Sequence, residues 1–142
     1  MKTKKIIFSI FAGLAVLLST TVVAGSILYM RLASTFVKVD YKDSGIIIKS
    51  YYYYIPVNYS EIKDVKVIGK SNDNRFLGGY TRINCEVGTY SCKELGRYDS
   101  YAYKSSTNST LVTLLSNELI VIGLNSRREN TALFNYLQSK IS

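Results

Sequence analysis

The feature that most constrains this chain is a long uncharged segment close to its amino terminus. No charged side chain occurs between Ile6 and Met30, and the segment contains 25 residues. As an α-helix these residues would extend about 37 Å, which is enough to cross a hydrocarbon core of about 30 Å. The basic residues that flank the segment are Lys2, Lys4, Lys5 and Arg31.

Two interpretations of residues 6–30 are open, an uncleaved membrane anchor and a cleaved secretory signal. A signal would use residues 6–18 as its apolar centre and would be cut after Ala24, where small residues precede Gly25. The apolar character continues to Met30, however, and a signal does not need this extension, so an anchor is favoured. The three lysines before the segment favour a cytoplasmic amino terminus and an extracytoplasmic domain. The alternative is a small secreted protein.

Charge argues against a nucleic-acid partner. The chain has a formal charge of +8, from 18 basic and 10 acidic residues. Four of the basic residues flank the apolar segment, and the remaining charges are interleaved along residues 32–142. Nucleic-acid binding usually requires a concentrated basic stripe, and the sequence contains none.

Residues 35–142 are predicted to form one β-rich domain closed by a helix. Short segments alternate between apolar and polar residues and are separated by turn residues, which is typical of strands. Near the end, Ser126 and Glu129 match a capping box, and Ala132, Leu133, Tyr136, Leu137 and Ile141 then recur at helical spacing. This predicts a helix over about 127–141. The predicted strands are 36–41, 46–55, 64–68, 81–87, 90–95, 100–104, 110–115 and 118–122.

Four consecutive tyrosines, Tyr51 to Tyr54, lie inside the predicted strand 46–55, which Pro56 would end. Alternate side chains of a strand point to opposite faces. One face would carry Ile46, Ile48, Tyr52 and Tyr54 and is predicted to join the core. The other would place Tyr51 and Tyr53 beside Lys49. This second face is either ordinary sheet packing or a contact surface for a partner.

The two cysteines, Cys85 and Cys92, are candidates for a disulfide. If Gly88-Thr89 forms a two-residue hairpin turn, the cysteines are directly opposite each other. Their Cα atoms would then lie about 4.5–5.5 Å apart, within the range that a disulfide spans. An extracytoplasmic location permits oxidation. Two reduced, buried thiols remain the alternative.

The stretches "DSGIIIKSYYYYIPVNYSEIKDVKVI", "RFLGGYTRINCEVGTYSCKELGRYDSYAY" and "LVTLLSNELIVIGLNSRRENTALFNYL" together resemble the bacterial PH-like domains. The shared pattern includes an "IP-x-x-x-x-I-x-x-V" segment, a glycine-rich stretch and a "G-x-aromatic" turn, and it covers about 105 residues. The resemblance implies the pleckstrin-homology fold, as a barrel or two packed antiparallel sheets capped by the helix. The matching residues are Ile55, Pro56, Ile62, Val65, Gly78, Gly79, Gly88, Thr89 and Tyr90.

The resemblance implies a binding or oligomerisation module. Related eukaryotic domains hold phosphoinositide head groups with clustered basic residues in the first hairpin loop. The corresponding loop here, residues 42–45, contains one lysine and one aspartate, so specific lipid head-group binding is not expected.

The sequence contains no histidine, the commonest general base and metal ligand. We therefore expect no enzymatic activity, no cofactor and no metal site. The predicted function is a membrane-anchored module that binds another protein or a second copy of itself.

Overall fold

A computed structural model describes residues 2–33 and 36–141. The chain divides into two compact units, an N-terminal helix and the domain that follows it. The described residues form two α-helices, nine strands and one 3₁₀ turn.

Helix α1 (Lys2–Ala33) contains the predicted apolar segment. The window Ala12–Tyr29 has a mean hydropathy of 1.8, so α1 is long and apolar enough to cross a membrane. The hydroxyls of Ser19 and Ser26 donate to the carbonyl oxygens of Val16 and Val22, each at 2.8 Å. These bonds satisfy both hydroxyls within the helix itself. The helix continues through residues 24 and 25, where the alternative signal peptide would be cut.

The first sheet of the domain has three antiparallel strands in the order β1-β2-β3. A 3₁₀ turn at Tyr59–Glu61 leads from it to the second sheet. The strands are β1 (Val37–Tyr41), β2 (Gly45–Ser50) and β3 (Tyr54–Asn58).

The second sheet has six strands in the order β4-β8-β9-β7-β6-β5. Strands β7 and β9 run parallel, whereas the other pairs are antiparallel. The prediction of wholly antiparallel sheets is therefore wrong at this one pair, although two sheets and a C-terminal helix are confirmed. The strands are β4 (Ile62–Gly69), β5 (Arg75–Thr81), β6 (Cys85–Cys92), β7 (Gly96–Tyr103), β8 (Asn108–Leu114) and β9 (Leu119–Gly123).

One main core joins both sheets and the C-terminal helix. Ile46 and Ile48 of the first sheet are buried in it, as predicted from their strand face. The opposite face of the six-stranded sheet, called the outer face below, carries a second and smaller cluster. Its buried members are Tyr90, Cys92, Tyr98, Leu111 and Val121.

Helix α2 (Arg127–Ile141) confirms the predicted helix and its capping box. The Glu129 amide donates to Ser126 Oγ at 3.2 Å, and the Ser126 amide donates to Glu129 Oε2 at 3.1 Å. Leu133 and Leu137 are fully buried, whereas Ala132 is exposed. Four of the five apolar residues that recur at helical spacing in this segment therefore face the core at least in part.

A buried asparagine connects α2 to the rest of the domain. Asn130 is 2 % exposed. Its Oδ1 accepts the Leu124 amide at 2.7 Å, and its Nδ2 donates to the Leu124 carbonyl at 3.0 Å and to Ser106 Oγ at 3.1 Å. The side chain thus holds the start of the helix against the end of β9 and the β7–β8 turn.

The predicted hairpin around Gly88-Thr89 is wrong. Strand β6 continues through both residues, and the turn that follows it contains residues 93–95. Gly88 instead faces Gly79 of β5, with φ values of +139° and +117°. A Cβ atom on Gly88 would lie 2.1 Å from the Gly78 carbonyl oxygen. These glycines therefore allow close approach of two strands.

This correction removes the geometry of the predicted disulfide. Cys85 and Cys92 stand at opposite ends of one strand, about 23 Å apart at 3.3 Å per residue. Cys85 lies in the main core and Cys92 in the outer-face cluster. No disulfide joins them.

We therefore expect both thiols to react with an alkylating reagent when the protein is denatured without reductant. In the folded protein the reaction should be slow, because both side chains are buried and burial raises the pKa of the Cys85 thiol to about 11. Intact mass spectrometry measures the number of adducts. A denatured chain without adducts would instead indicate a disulfide.

Candidate functional site

The four tyrosines form a turn and not a continuous strand. Ser50 and Tyr53 exchange backbone hydrogen bonds of 2.9 and 3.3 Å, which leaves Tyr51 and Tyr52 as the central residues of the β2–β3 turn. Type I′ and type II′ hairpin turns both need a positive φ at a central residue. Among the described residues Asn117 is the only non-glycine residue with a positive φ, so the Tyr51-Tyr52 turn belongs to neither type. Pro56 lies inside β3 and does not end a strand. β3 is an edge of its sheet, where proline is tolerated.

This turn distributes the four rings differently from the prediction. Tyr51, Tyr52 and Tyr54 are exposed, at 63 %, 63 % and 61 %. Tyr53 is half-buried and packs against the rings of Tyr80 and Tyr101, each with its centroid at 5.8 Å. The predicted core positions of Tyr52 and Tyr54 are therefore wrong. Of the two alternatives left open for the face of Tyr53, the structure shows packing within the domain for this ring.

Lys49 is half-buried and is paired with a carboxylate. Its Nζ donates to Asp40 of β1, and this hydrogen bond lowers the pKa of the Asp40 carboxyl and raises that of Lys49. The same Nζ lies 5.4 Å from the ring centroid of Tyr54, close enough for a cation–π interaction. Lys49 thus fixes the ring of Tyr54 and is not a free charge beside Tyr51.

The β5–β6 turn contributes two residues that sequence reasoning missed. The Arg82 guanidinium lies 3.5 Å from the Tyr52 hydroxyl and 5.7 Å from the ring centroid of Tyr80. Ile83 next to it is exposed. Residues 82 and 83 lie in the short turn between β5 and β6, whereas the sequence predicted a strand over 81–87.

Ring contacts and one hydrogen bond hold the surface together. The Tyr51 and Tyr52 rings meet edge to face at 4.7 Å, and Tyr52 meets Tyr80 in the same way at 5.1 Å. The hydroxyls of Ser50 and Tyr80 are hydrogen-bonded, which joins the β2–β3 hairpin to β5. We use the name tyrosine surface for four exposed residues and one half-buried residue: Tyr51, Tyr52, Tyr54 and Ile83 are exposed, and Arg82 is half-buried.

Tyrosine and arginine side chains bring large contact area and hydrogen-bonding groups to an interface and dominate many interface hot spots. The tyrosine surface contains no nucleophile paired with a base. Within residues 2–33 and 36–141, no three Asp, Glu or Cys side chains are placed to hold a metal ion. The arrangement is suited to binding.

The first hairpin loop, residues 42–45, is occupied by contacts within the domain. The Tyr59 hydroxyl donates to the Lys42 carbonyl at 2.8 Å and is 3.0 Å from the Tyr136 hydroxyl of α2. The Tyr59 amide donates to the Ser44 carbonyl at 3.0 Å. These bonds connect the loop to the helix.

Comparison with protein-family models, with curated protein sequences and with solved structures gave no match for this chain. The PH-like resemblance therefore stays a prediction.

Proposed function

We propose that this chain is a membrane-anchored, non-enzymatic binding module whose tyrosine surface contacts another protein on the outer side of the membrane. The observation that carries the proposal is the β2–β3 hairpin, whose turn and following strand present three exposed tyrosines. A solvated turn usually contains Gly, Asn, Asp or Ser. Large amphipathic rings at such a position lose little conformational entropy on binding.

Membrane anchoring is supported by α1, whose apolar window is 18 residues long. The lysines at positions 2, 4 and 5 precede it and favour a cytoplasmic amino terminus. The PH-like assignment is also part of this proposal. A β-rich domain with two sheets and a closing helix agrees with it, whereas the parallel β7–β9 pair departs from it.

Cell fractionation tests the anchor. In cells that produce the chain, we expect the full 16.0 kDa polypeptide in the membrane fraction. Protease added to the outside of cells with a permeable wall should digest the β domain. Recovery of a chain that begins near Gly25 in the medium would show the secreted alternative.

Site-specific photocrosslinking tests the tyrosine surface. With a photoreactive phenylalanine at position 52, we expect the full-length chain in its own membrane to form a discrete crosslinked product. The same probe at position 77 serves as the control, because Leu77 is also exposed but lies on β5 away from the turn. Equal products at both positions, or none at position 52, would contradict the proposal.

A double variant tests whether the rings contribute to binding. With the probe kept at position 52, Tyr51→Ser and Tyr54→Ser together should reduce the crosslinked product at least about five-fold. The unfolding temperature should change little, because exposed side chains contribute little to stability. Leu77→Ser is the matched control variant, because it also replaces an exposed apolar side chain with serine. Products that contain only this chain would identify self-assembly, and products with one other protein would identify an accessory subunit.

A further inference from the structure

A cavity of about 230 Å³ lies on the outer face of the six-stranded sheet, separate from the tyrosine surface. Its floor is formed by Tyr98, Ser100 and Ala102 of β7 and by Val121 of β9. The end of β4, the loop after it and the β6–β7 turn form its walls.

The space exists because the central positions of this face carry small side chains. Ser100 is opposite Gly88 in the β6–β7 register and beside Val121 in the β7–β9 register. Ala102 is the next residue of β7 on the same face. Larger side chains at these positions would fill the cavity, as they fill the main core.

Two hydrogen bonds keep the β4–β5 loop in place as a wall of this cavity. The Lys93 amide of the β6–β7 turn donates to Asp73 Oδ2 at 2.9 Å, and Lys70 Nζ donates to the Lys104 carbonyl at 3.0 Å. Hydrogen bonds from the Ser71 hydroxyl and the Lys93 amide lower the pKa of the Asp73 carboxyl. The carboxylate therefore holds both walls of the cavity together at neutral pH.

Three polar groups on one side of the cavity lack partners. Tyr98 and Ser100 are only 6 % and 5 % exposed, and neither hydroxyl forms a hydrogen bond with any residue in the described part of the chain. Glu86 is opposite Ala102 on β6 and is half-buried. It too has no hydrogen bond or ion pair within residues 2–33 and 36–141. Burial raises the pKa of Tyr98 to about 12, so this phenol is neutral.

Both hydroxyls open into the cavity, since within the described part of the chain Asn108 Oδ1 is the one fully buried side-chain atom without a hydrogen-bond partner. Polar groups that face a cavity in this way are satisfied by ordered water or by a ligand. The cavity also contains one lysine and two glutamates, Lys70, Glu86 and Glu94. One positive and two negative side chains give the lining a formal charge of −1, and the hydrogen bond to the Lys104 carbonyl holds the Lys70 ammonium at one wall.

We propose that this cavity binds a small molecule that carries an ammonium group and one or more hydroxyls. The ammonium pairs with the Glu86 carboxylate, and the hydroxyls exchange hydrogen bonds with Tyr98 and Ser100. A cavity of 150 Å³ holds benzene, so 230 Å³ has room for roughly nine non-hydrogen atoms. The site is independent of the tyrosine surface and needs no second protein.

Two probes of the same shape test the proposal, 2-amino-1,3-propanediol and glycerol, which differ only by an ammonium in place of a hydroxyl. The full-length, ¹⁵N-labelled chain in detergent micelles would be titrated with each probe at pH 7. We expect saturable amide shifts around Glu86, Ser100 and Ser71 with the amine, at a Kd at least ten-fold lower than that of glycerol.

Two variants separate a specific site from general weak binding. Glu86→Gln keeps the size of the side chain and should remove the ten-fold preference for the amine. Glu118→Gln, in the exposed β8–β9 turn, should keep it. Equal affinity for the two probes, no saturable shifts with the amine, or an unchanged preference in Glu86→Gln would each overturn the proposal and leave ordered water as the occupant.

Discussion

Replacing Asn130 with leucine should lower the free energy of unfolding by about 3–5 kcal/mol. The substitution leaves the Leu124 amide, the Leu124 carbonyl and the Ser106 hydroxyl without their side-chain partner. Each buried polar group that loses its partner costs about 1–3 kcal/mol. Leucine adds apolar burial, but its branched end occupies the place of the amide and cannot satisfy these groups. For a domain of this size the unfolding temperature should fall by roughly 15 °C.

Near-ultraviolet circular dichroism of the full-length chain in detergent measures this change. Of the 13 tyrosines only Tyr29 lies in α1, so the signal reports on the β domain. Asn135→Leu is the control, because Asn135 lies on the same helix and is exposed. Equal unfolding temperatures for Asn130→Leu and the unchanged chain would show that the hydrogen bonds of Asn130 make no net contribution to the free energy of unfolding.

Replacing Gly88 with alanine should lower the free energy of unfolding by about 4 kcal/mol. The new Cβ would lie 2.1 Å from the Gly78 carbonyl oxygen and 2.7 Å from Gly79 Cα, and these are backbone atoms that move only with the strand. The φ of +139° adds strain, because residues with a Cβ rarely adopt it. Strand β5 should therefore separate from β6 while the rest of the sheet stays paired.

Hydrogen exchange followed by mass spectrometry would show this separation as faster exchange in peptides that cover β5. Gly78→Ala is a matched control, because no atom lies within 4 Å of a Cβ at this neighbouring glycine. We expect the control to change stability by less than about 1 kcal/mol. Similar exchange rates in the two variants would contradict the role assigned to Gly88.

Much of the fold could be predicted because it depends on local patterns. The apolar segment of α1, the strands with alternating polarity and the capping box of α2 each depend on residues close in sequence. Asn130 shows the limit of this approach. It stands on the same face of α2 as Leu133 and Leu137, so its position indicates burial. Its partners come from the β9–α2 and β7–β8 connections, and no local pattern identifies them.

Glycines and tyrosines were misinterpreted for one shared reason. Gly88-Thr89 has the composition of a hairpin turn and Tyr51-Tyr52 that of a strand, and the tertiary structure reversed both assignments. The contact with Gly79 makes Gly88 part of a strand, while the actual turn uses Gly96 at a φ of +71°. At the tyrosines, the packing of Tyr53 against Tyr80 and Tyr101 and the pairing of β2 with β3 require the chain to reverse.

The candidate site was predicted only in part. The sequence drew attention to the tyrosines but left open whether Tyr51 packs in a sheet or forms a contact surface, and the structure places it exposed in a turn. Arg82 reaches Tyr52 from 30 positions away in the chain, and such a contact depends on how β5 and β6 pack. The cavity on the outer face was not predicted, since it results from small side chains on strands that are neighbours only in the folded sheet.

The β1–β2 register has a mechanical consequence. Val37, where the chain enters the domain from its N-terminal helix, pairs with Ser50, which directly precedes the tyrosine turn. A partner that pulls on this turn while the membrane holds the helix would load β1 and β2 at their open ends. Hydrogen bonds loaded in this way break one after another, beginning at Val37 and proceeding toward the loop at residues 42–45. The Ser50–Tyr80 hydrogen bond would share this load, because it joins the same end of β2 to β5 of the six-stranded sheet.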